Sequence, residues 1–283
     1  MKQKFYFKKV LILALSVFAV SCSKNKDNYV VEPEAQPTSI STSAVSTRYV
    51  QNCTLETYTA TWCGYCPRSE TATGQAVQAL GDKVVPIAFH SGDVMNFSNV
   101  STLMNVFGVG GFPTQLANRK MGYSGISQLT QFTSTPSNFG LAINSSIAGS
   151  TLSLSVKARF SQATTGSKIV VYILESGIVA SQNNYYSRDL GGDPSSPWYN
   201  YPQYISNFVH KHVARMSLSS ALGDPIPSQA VNSEYAKNWT ITLPASYNKN
   251  NLSIVALLVK SDNTLLNVQQ ASVGQNKDFQ IVR

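Results

Sequence analysis

The residues of this chain best placed to do chemistry are two cysteines separated by two residues, Cys63 and Cys66 in Thr61-Trp62-Cys63-Gly64-Tyr65-Cys66-Pro67-Arg68. Thiols at that spacing can form and break a disulfide with little backbone movement. The run Thr54 to Thr59 before them reads as a strand, and Ser69 to Leu80 after them reads as a helix. At a helix start, unpaired N–H groups and the macrodipole point positive charge at the sulfur and favour the thiolate. The thiolate is the attacking species in thiol–disulfide exchange. Cys63, next to Trp62, is expected to be the more exposed sulfur and the nucleophile. Cys66, one turn inward, is expected to be the resolving thiol. A zinc ribbon would need a second Cys-x-x-Cys or a His pair, which is absent.

The ends and the composition set the compartment. Lys2, Lys4, Lys8 and Lys9 precede an apolar run, Val10 to Val20, that is too short to span a membrane as a helix. The run ends at Ala19-Val20-Ser21-Cys22, which resembles the lipobox of bacterial lipoproteins. That resemblance makes residues 1–21 a signal peptide and Cys22 the lipidated first residue of a chain that works where disulfides persist. Removing residues 1–21 takes four lysines and no acids, so the net charge falls from +8 to +4. No basic cluster with interleaved aromatics points to nucleic acid. Of the four cysteines, Cys22 goes to lipid, Cys63 and Cys66 are expected to pair, and Cys53 is left either as a buried free thiol at the far end of its strand or bonded to another chain. Residues 22–48, rich in Ser, Thr, Pro and Asn, read as a flexible tether.

From Arg48 the pattern alternates strand and helix. Strands are expected at about 53–60 and 84–90, with a helix from Cys63 to Leu80 capped by Gly81 between them. A short helix over 99–107 leads to Gly110-Gly111-Phe112-Pro113-Thr114 and a third strand. Lys120 to Tyr123 suggests a hairpin, and Ile126 to Phe132 a last helix. Trp-Cys-Gly-x-Cys followed by Gly-Phe-Pro-Thr resembles the thioredoxin pattern. The resemblance implies a thioredoxin-like domain over 49–145, with Pro113 in the cis form facing the dithiol and Phe112 presenting its backbone to an extended substrate. Trp62, Gly64 and Tyr65 are carried as supporting residues. Gly64-Tyr65 resembles the dipeptide of a periplasmic disulfide isomerase. Thioredoxins use a buried acid beneath the second cysteine; Glu56 is one position out of register with it, so it reads either as that acid or as a solvated strand residue.

From about Thr151, alternating runs such as Leu152 to Phe160, with Lys168 to Leu174, Trp239 to Leu243, Leu252 to Val259 and Leu265 to Ala271, read as strands. They imply an all-β, immunoglobulin-like sandwich domain over 146–283, interrupted by an aromatic insert, Asn183 to Asn207. Tyr185, Tyr186, Trp198, Tyr199, Tyr201 and Tyr204 in it are read equally as a contact surface or as a cover. His210 and His212 could chelate a metal but lack a third ligand, so no metal is expected, and His90 reads as structural. The whole chain resembles the Omp28 family of outer-membrane lipoproteins from Gram-negative bacteria. Two functions follow. The first is an envelope thiol–disulfide oxidoreductase with no cofactor, exchanging disulfides with cysteine-containing envelope proteins and fed by a membrane electron shuttle. The second is a non-catalytic surface lipoprotein for binding or adhesion, using the thioredoxin-like domain as scaffold.

Overall fold

The structure, a computed structural model, describes residues 47–283. The signal peptide, Cys22 and nearly all of the tether lie outside the described residues.

The first half begins with β1 (Cys53–Thr59), α1 (Pro67–Leu80), β2 (Val84–His90) and α2 (Val100–Phe107). It continues with β3 (Thr114–Ala117), β4 (Met121–Gly122), α3 (Ile126–Phe132), β5 (Phe139–Ala148) and β6 (Thr151–Phe160). Then come β7 (Lys168–Glu175), β8 (Ile178–Asn183), β9 (Tyr204–His210), β10 (Val213–Ser217) and β11 (Asp224–Pro225). The chain closes with β12 (Ser233–Thr242), β13 (Leu252–Val259) and β14 (Leu265–Ser272). Local chemistry explains the ends of α1. Pro67 at its first position has no N–H to leave unpaired, and Gly81, at φ 54°, caps it by donating its N–H to the Val77 carbonyl.

The tertiary arrangement corrects the expected fold class. The chain does not form an α/β thioredoxin-like domain followed by an all-β immunoglobulin-like sandwich domain. Among the described residues it is mostly β, 43% strand against 16% helix, and is built around one mixed sheet of nine strands. The order is β14-β13-β7-β10-β2-β1-β3-β4, with β11 on β7. The join is β10, which lies parallel to β2 at Val213↔Ala88 and antiparallel to β7. The Ala88 N–H donates to the His212 carbonyl at 2.8 Å. Hydrophobic alternation reports which face of a strand is buried, not which strand lies beside it. The sequence pattern therefore supplied many of the strands and not this neighbour.

Both faces of the sheet are covered. On one face Val85, Ile87 and Phe89 of β2, Tyr172 of β7 and Leu257 of β13 pack with Val100 and Leu103 of α2. On the other, α1 and α3 cover β1 through Cys53, Leu55, Ala76 and Leu129. The three-stranded sheet β12-β6-β5 covers β7 and β13 through Leu141, Val156, Ile173 and Ile254, giving a sandwich-like layer.

Glu56 is neither a solvated residue nor a neighbour of Cys66. It is fully buried, opposite Ile87 in register and so on the α2 face. Its Oε1 lies 3.4 Å from Nε of the equally buried Arg119, whose Nη2 donates to Tyr172 Oη at 3.2 Å. Burial pushes the Glu56 carboxyl up from its ordinary range, and the Arg119 charge opposes this. Arg119→Met removes the cation of the pair and leaves a buried acid alone. The expected cost is about 3–5 kcal/mol, and adding Glu56→Leu should restore most of it. Urea denaturation of the single and double variants checks both.

Candidate functional site

The loop between β1 and α1 holds a disulfide. Cys63 and Cys66 are bonded, with Cα atoms 5.4 Å apart, and Cys66 is the N-cap of α1. The Cys66 carbonyl accepts from Ser69 N–H at 3.0 Å and from Ser69 Oγ at 2.7 Å. The Phe112–Pro113 bond is cis, and Phe112 packs against Ala60 and both cysteines. Trp62 lies over Phe112 at 5.5 Å between ring centroids and donates from Nε1 to the Ser91 carbonyl. Gln115 Nε2 ties β3 to Thr57 Oγ1 on β1 and to Thr73 Oγ1 on α1. Cys53 is free and buried, and burial pushes its thiol up to about 12. It stands at the other end of β1, away from the pair.

Both sulfurs are covered. Cys63 is 6% exposed and Cys66 3%. The cover is a strap, residues 182–186, that leaves β8 and runs across the disulfide loop. Gln182 Nε2 donates to the carbonyls of Cys63 (2.8 Å) and Ala60 (3.3 Å). The Asn183 N–H donates to Thr61 O at 2.8 Å, its Nδ2 to Trp62 O at 3.0 Å, and the Tyr185 N–H to Gly64 O at 2.9 Å. The Tyr185 ring sits where a side chain on residue 64 would project, so only glycine fits there. Tyr65 meets Tyr185 and Tyr186 edge-on at 5.2 and 5.8 Å. Fully buried Asn184 holds the rest of the insert by donating to the carbonyls of Trp198, Tyr201 and Pro202. Trp198 Nε1 reaches Thr71 on α1 at 2.9 Å.

Beneath the disulfide loop, Asp93 Oδ2 accepts from the Thr61 N–H at 2.8 Å and is 2.8 Å from His90 Nδ1. Burial pushes the Asp93 carboxyl up, but the His90 contact and the N–H groups of Thr61 and Met95 outweigh it and hold the group below its ordinary range. His90 and His210 stack edge-on at 5.2 Å. Burial pushes His210 down to about 4, with the His90 charge acting the same way, and burial with the Lys211 charge pushes His212 down to about 4. Among the described residues no group of three or more His, Cys, Asp or Glu could hold a metal ion. No motif in the sequence marks the strap, Asp93 or the convergence of the histidines. The one signal was the aromatic density of residues 183–207.

Residues 100–277 match the model of the family described as outer membrane protein Omp28, and the chain belongs to that family. No curated protein matches the chain. Among solved structures, it is similar to HBP35 of Porphyromonas gingivalis, at 17% identity and a TM-score of 0.62, over 80% of this chain and 76% of that one. That likeness supports the fold alone. A protein of Agrobacterium tumefaciens is similar at 14% identity and a TM-score of 0.44, over 80% of this chain and 96% of that one.

Gln182→Ala removes two of the three side-chain bonds that hold the strap to the loop, leaving that of Asn183. At about 1 kcal/mol for each of two bonds, the open fraction should rise roughly thirtyfold. The rate at which dithiothreitol reduces the disulfide should rise with it. The histidines set a pH dependence. Both have folded-state values below the ordinary 6.5, so the unfolded chain takes up protons first as pH falls. Stability should be full above pH ~6.5 and fall progressively towards pH ~4, by on the order of 2–3 kcal/mol per histidine. Urea midpoints across that range read it.

Proposed function

We propose that this outer-membrane family member is a binding protein that presents its capped disulfide loop as an aromatic recognition face. One contrast carries the reading: the two sulfurs are almost fully covered, whereas the aromatic side chains around them, Trp62, Tyr65 and Tyr185, are 52%, 54% and 44% exposed. An approaching protein meets rings before it meets sulfur. Rigid aromatic groups supply large contact area at small entropic cost, which is why they dominate binding hot spots. The disulfide then acts as a clasp that fixes Trp62 and Tyr65 on their loop. Lipid on Cys22 would hold the folded part at the outer membrane, on its periplasmic or its surface face.

A second reading is thiol–disulfide exchange with cysteine-containing envelope proteins, with Cys63 as nucleophile, Cys66 as resolving thiol and a membrane electron shuttle as the source of reducing equivalents. It is favoured by one observation, the bonded pair at the start of α1 with Phe112, the residue before the cis-bonded Pro113, packed against it. It requires the strap to move aside.

Cross-linking on intact cells separates the two. On the binding reading, Cys63→Ser/Cys66→Ser captures the same partner bands as the wild type but more weakly, because the clasp is gone, Trp62→Ala/Tyr65→Ala loses them, and Cys66→Ala accumulates no mixed disulfides. Reduction-sensitive bands through Cys63 in the Cys66→Ala variant would transfer the function to exchange.

A further inference from the structure

The three-stranded sheet β12-β6-β5 has two edges, and among the described residues only one is closed. On β5, Ile143 exchanges both backbone hydrogen bonds with Lys277, and the Ser145 N–H donates to Asn276 Oδ1. On β12, a strand of ten residues, β6 is the one strand partner described. The Leu243 N–H donates to the Ser150 carbonyl at 2.8 Å. Antiparallel alternation from that pair turns the N–H and C=O of Tyr235, Lys237, Trp239 and Ile241 toward β6. It turns those of Glu234, Ala236, Asn238, Thr240 and Thr242 outward, and no described residue bonds to that outward row.

Burial tells the same story. Leu152, Leu154 and Ala158 of β6 are buried, whereas Ile241, Trp239 and Tyr235, opposite them on the same face, are only half-buried. A long uncovered edge is a template for another strand, and an inward-pointing charge is one way to blunt it. Lys237 is such a charge, but Asp224 Oδ2 at 2.6 Å neutralises it.

The chemistry of β12 selects the strand that fits, because β12 is complementary to itself in one register. In an antiparallel self-pairing the two faces match only when a residue lies on the two-fold axis. Centred on Lys237, the pairing sets lysine against lysine. Centred on Trp239, it sets the outward groups of Glu234 against Pro244, which has no N–H to give. Centred on Asn238, it joins the outward row throughout, Glu234 with Thr242 and Ala236 with Thr240. Lys237 then lies opposite Trp239, a ring that already holds its own Lys237 Nζ at 5.4 Å, and Tyr235 lies opposite Ile241. No like charges meet. We propose that two copies of this chain associate through β12, antiparallel about a two-fold axis at Asn238, so that their three-stranded sheets become one continuous sheet. The inference is independent of either reading of the disulfide loop.

Cysteine cross-linking of the full chain on intact cells tests it. Both positions chosen are exposed, so neither change disturbs the fold. Asn238→Cys sets the Cα atoms of two copies about 5.5 Å apart, within disulfide reach. Thr242→Cys sets them roughly 27 Å apart. Mild oxidation should convert the first variant to a covalent dimer that reduction reverses, and leave the second monomeric. Adding Thr240→Pro, which removes an outward N–H and leaves the β6 ladder intact, should cut the dimer yield on the order of tenfold. A monomeric Asn238→Cys, whether β12 stays bare or residues 23–46 of the same chain cover it, overturns the proposal. Equal dimer at both positions, or an adduct with another protein, overturns it too. Sedimentation equilibrium of the purified wild type gives a second readout: a concentration-dependent dimer that Asn238→Lys, by setting like charges opposite, weakens roughly fivefold. A wild type that stays monomeric, or a dimer that Asn238→Lys leaves intact, is the contrary result.

Discussion

The arrangement depends on the pairing of β10 with β2. One register contact, Val213 opposite Ala88, and one hydrogen bond, Ala88 N–H to His212 O, set the two halves of the chain side by side in a single sheet. Parallel strands buried on both faces must have every backbone group paired, because an unpaired N–H out of reach of water costs as much as a lost hydrogen bond. Without β10, the β2 edge would be such a row. With it, β7, β13 and β14 extend the sheet, and the β8–β9 hairpin that precedes β10 is carried over the β1–α1 loop.

The site follows from that geometry. The hairpin brings Gln182, Asn183 and Tyr185 onto the backbone of residues 60–64, and its end delivers His210 to His90. The same placement buries the sulfurs and surrounds them with rings. A motif whose spacing suits exchange is thus embedded in a context that restricts access, which is why site and fold point to different functions when each is taken alone. Membership of an outer-membrane family agrees with a binding role and does not require turnover.

Much of the local structure was legible. Pro67 and Gly81 mark the ends of α1, and Asp262-Asn263 turns β13 into β14, with Asn263 at φ 68°. These are decided by φ preferences and caps, which act within a few residues. Cys63 and Cys66 are bonded, as spacing and the count of remaining cysteines suggest. Glu56 shows where such reading ends. Its position in an apolar strand signals an anomaly, but its partner Arg119 is sixty-three residues away and has no sequence mark that separates it from a surface cation. Residues 183–207 were open between cover and contact surface; in the structure Asn184 and Trp198 anchor the insert over the disulfide loop and α1, while Tyr201 and Tyr204 stand exposed.

By itself, the amino-acid sequence determined the three helices, strands such as β1, β2, β7, β13 and β14, and the disulfide at a helix start, since each depends on neighbours within a turn or on alternation along a strand; β5, β8 and β9 escaped it. Only the tertiary structure decided that the sheet is continuous, that the dithiol loop lies under a strap, and that three histidines share one cavity with Cys66. Those outcomes depend on which strand edges meet and which faces close on each other, and a hydrogen-bonding backbone is the same at every residue until packing selects its partner.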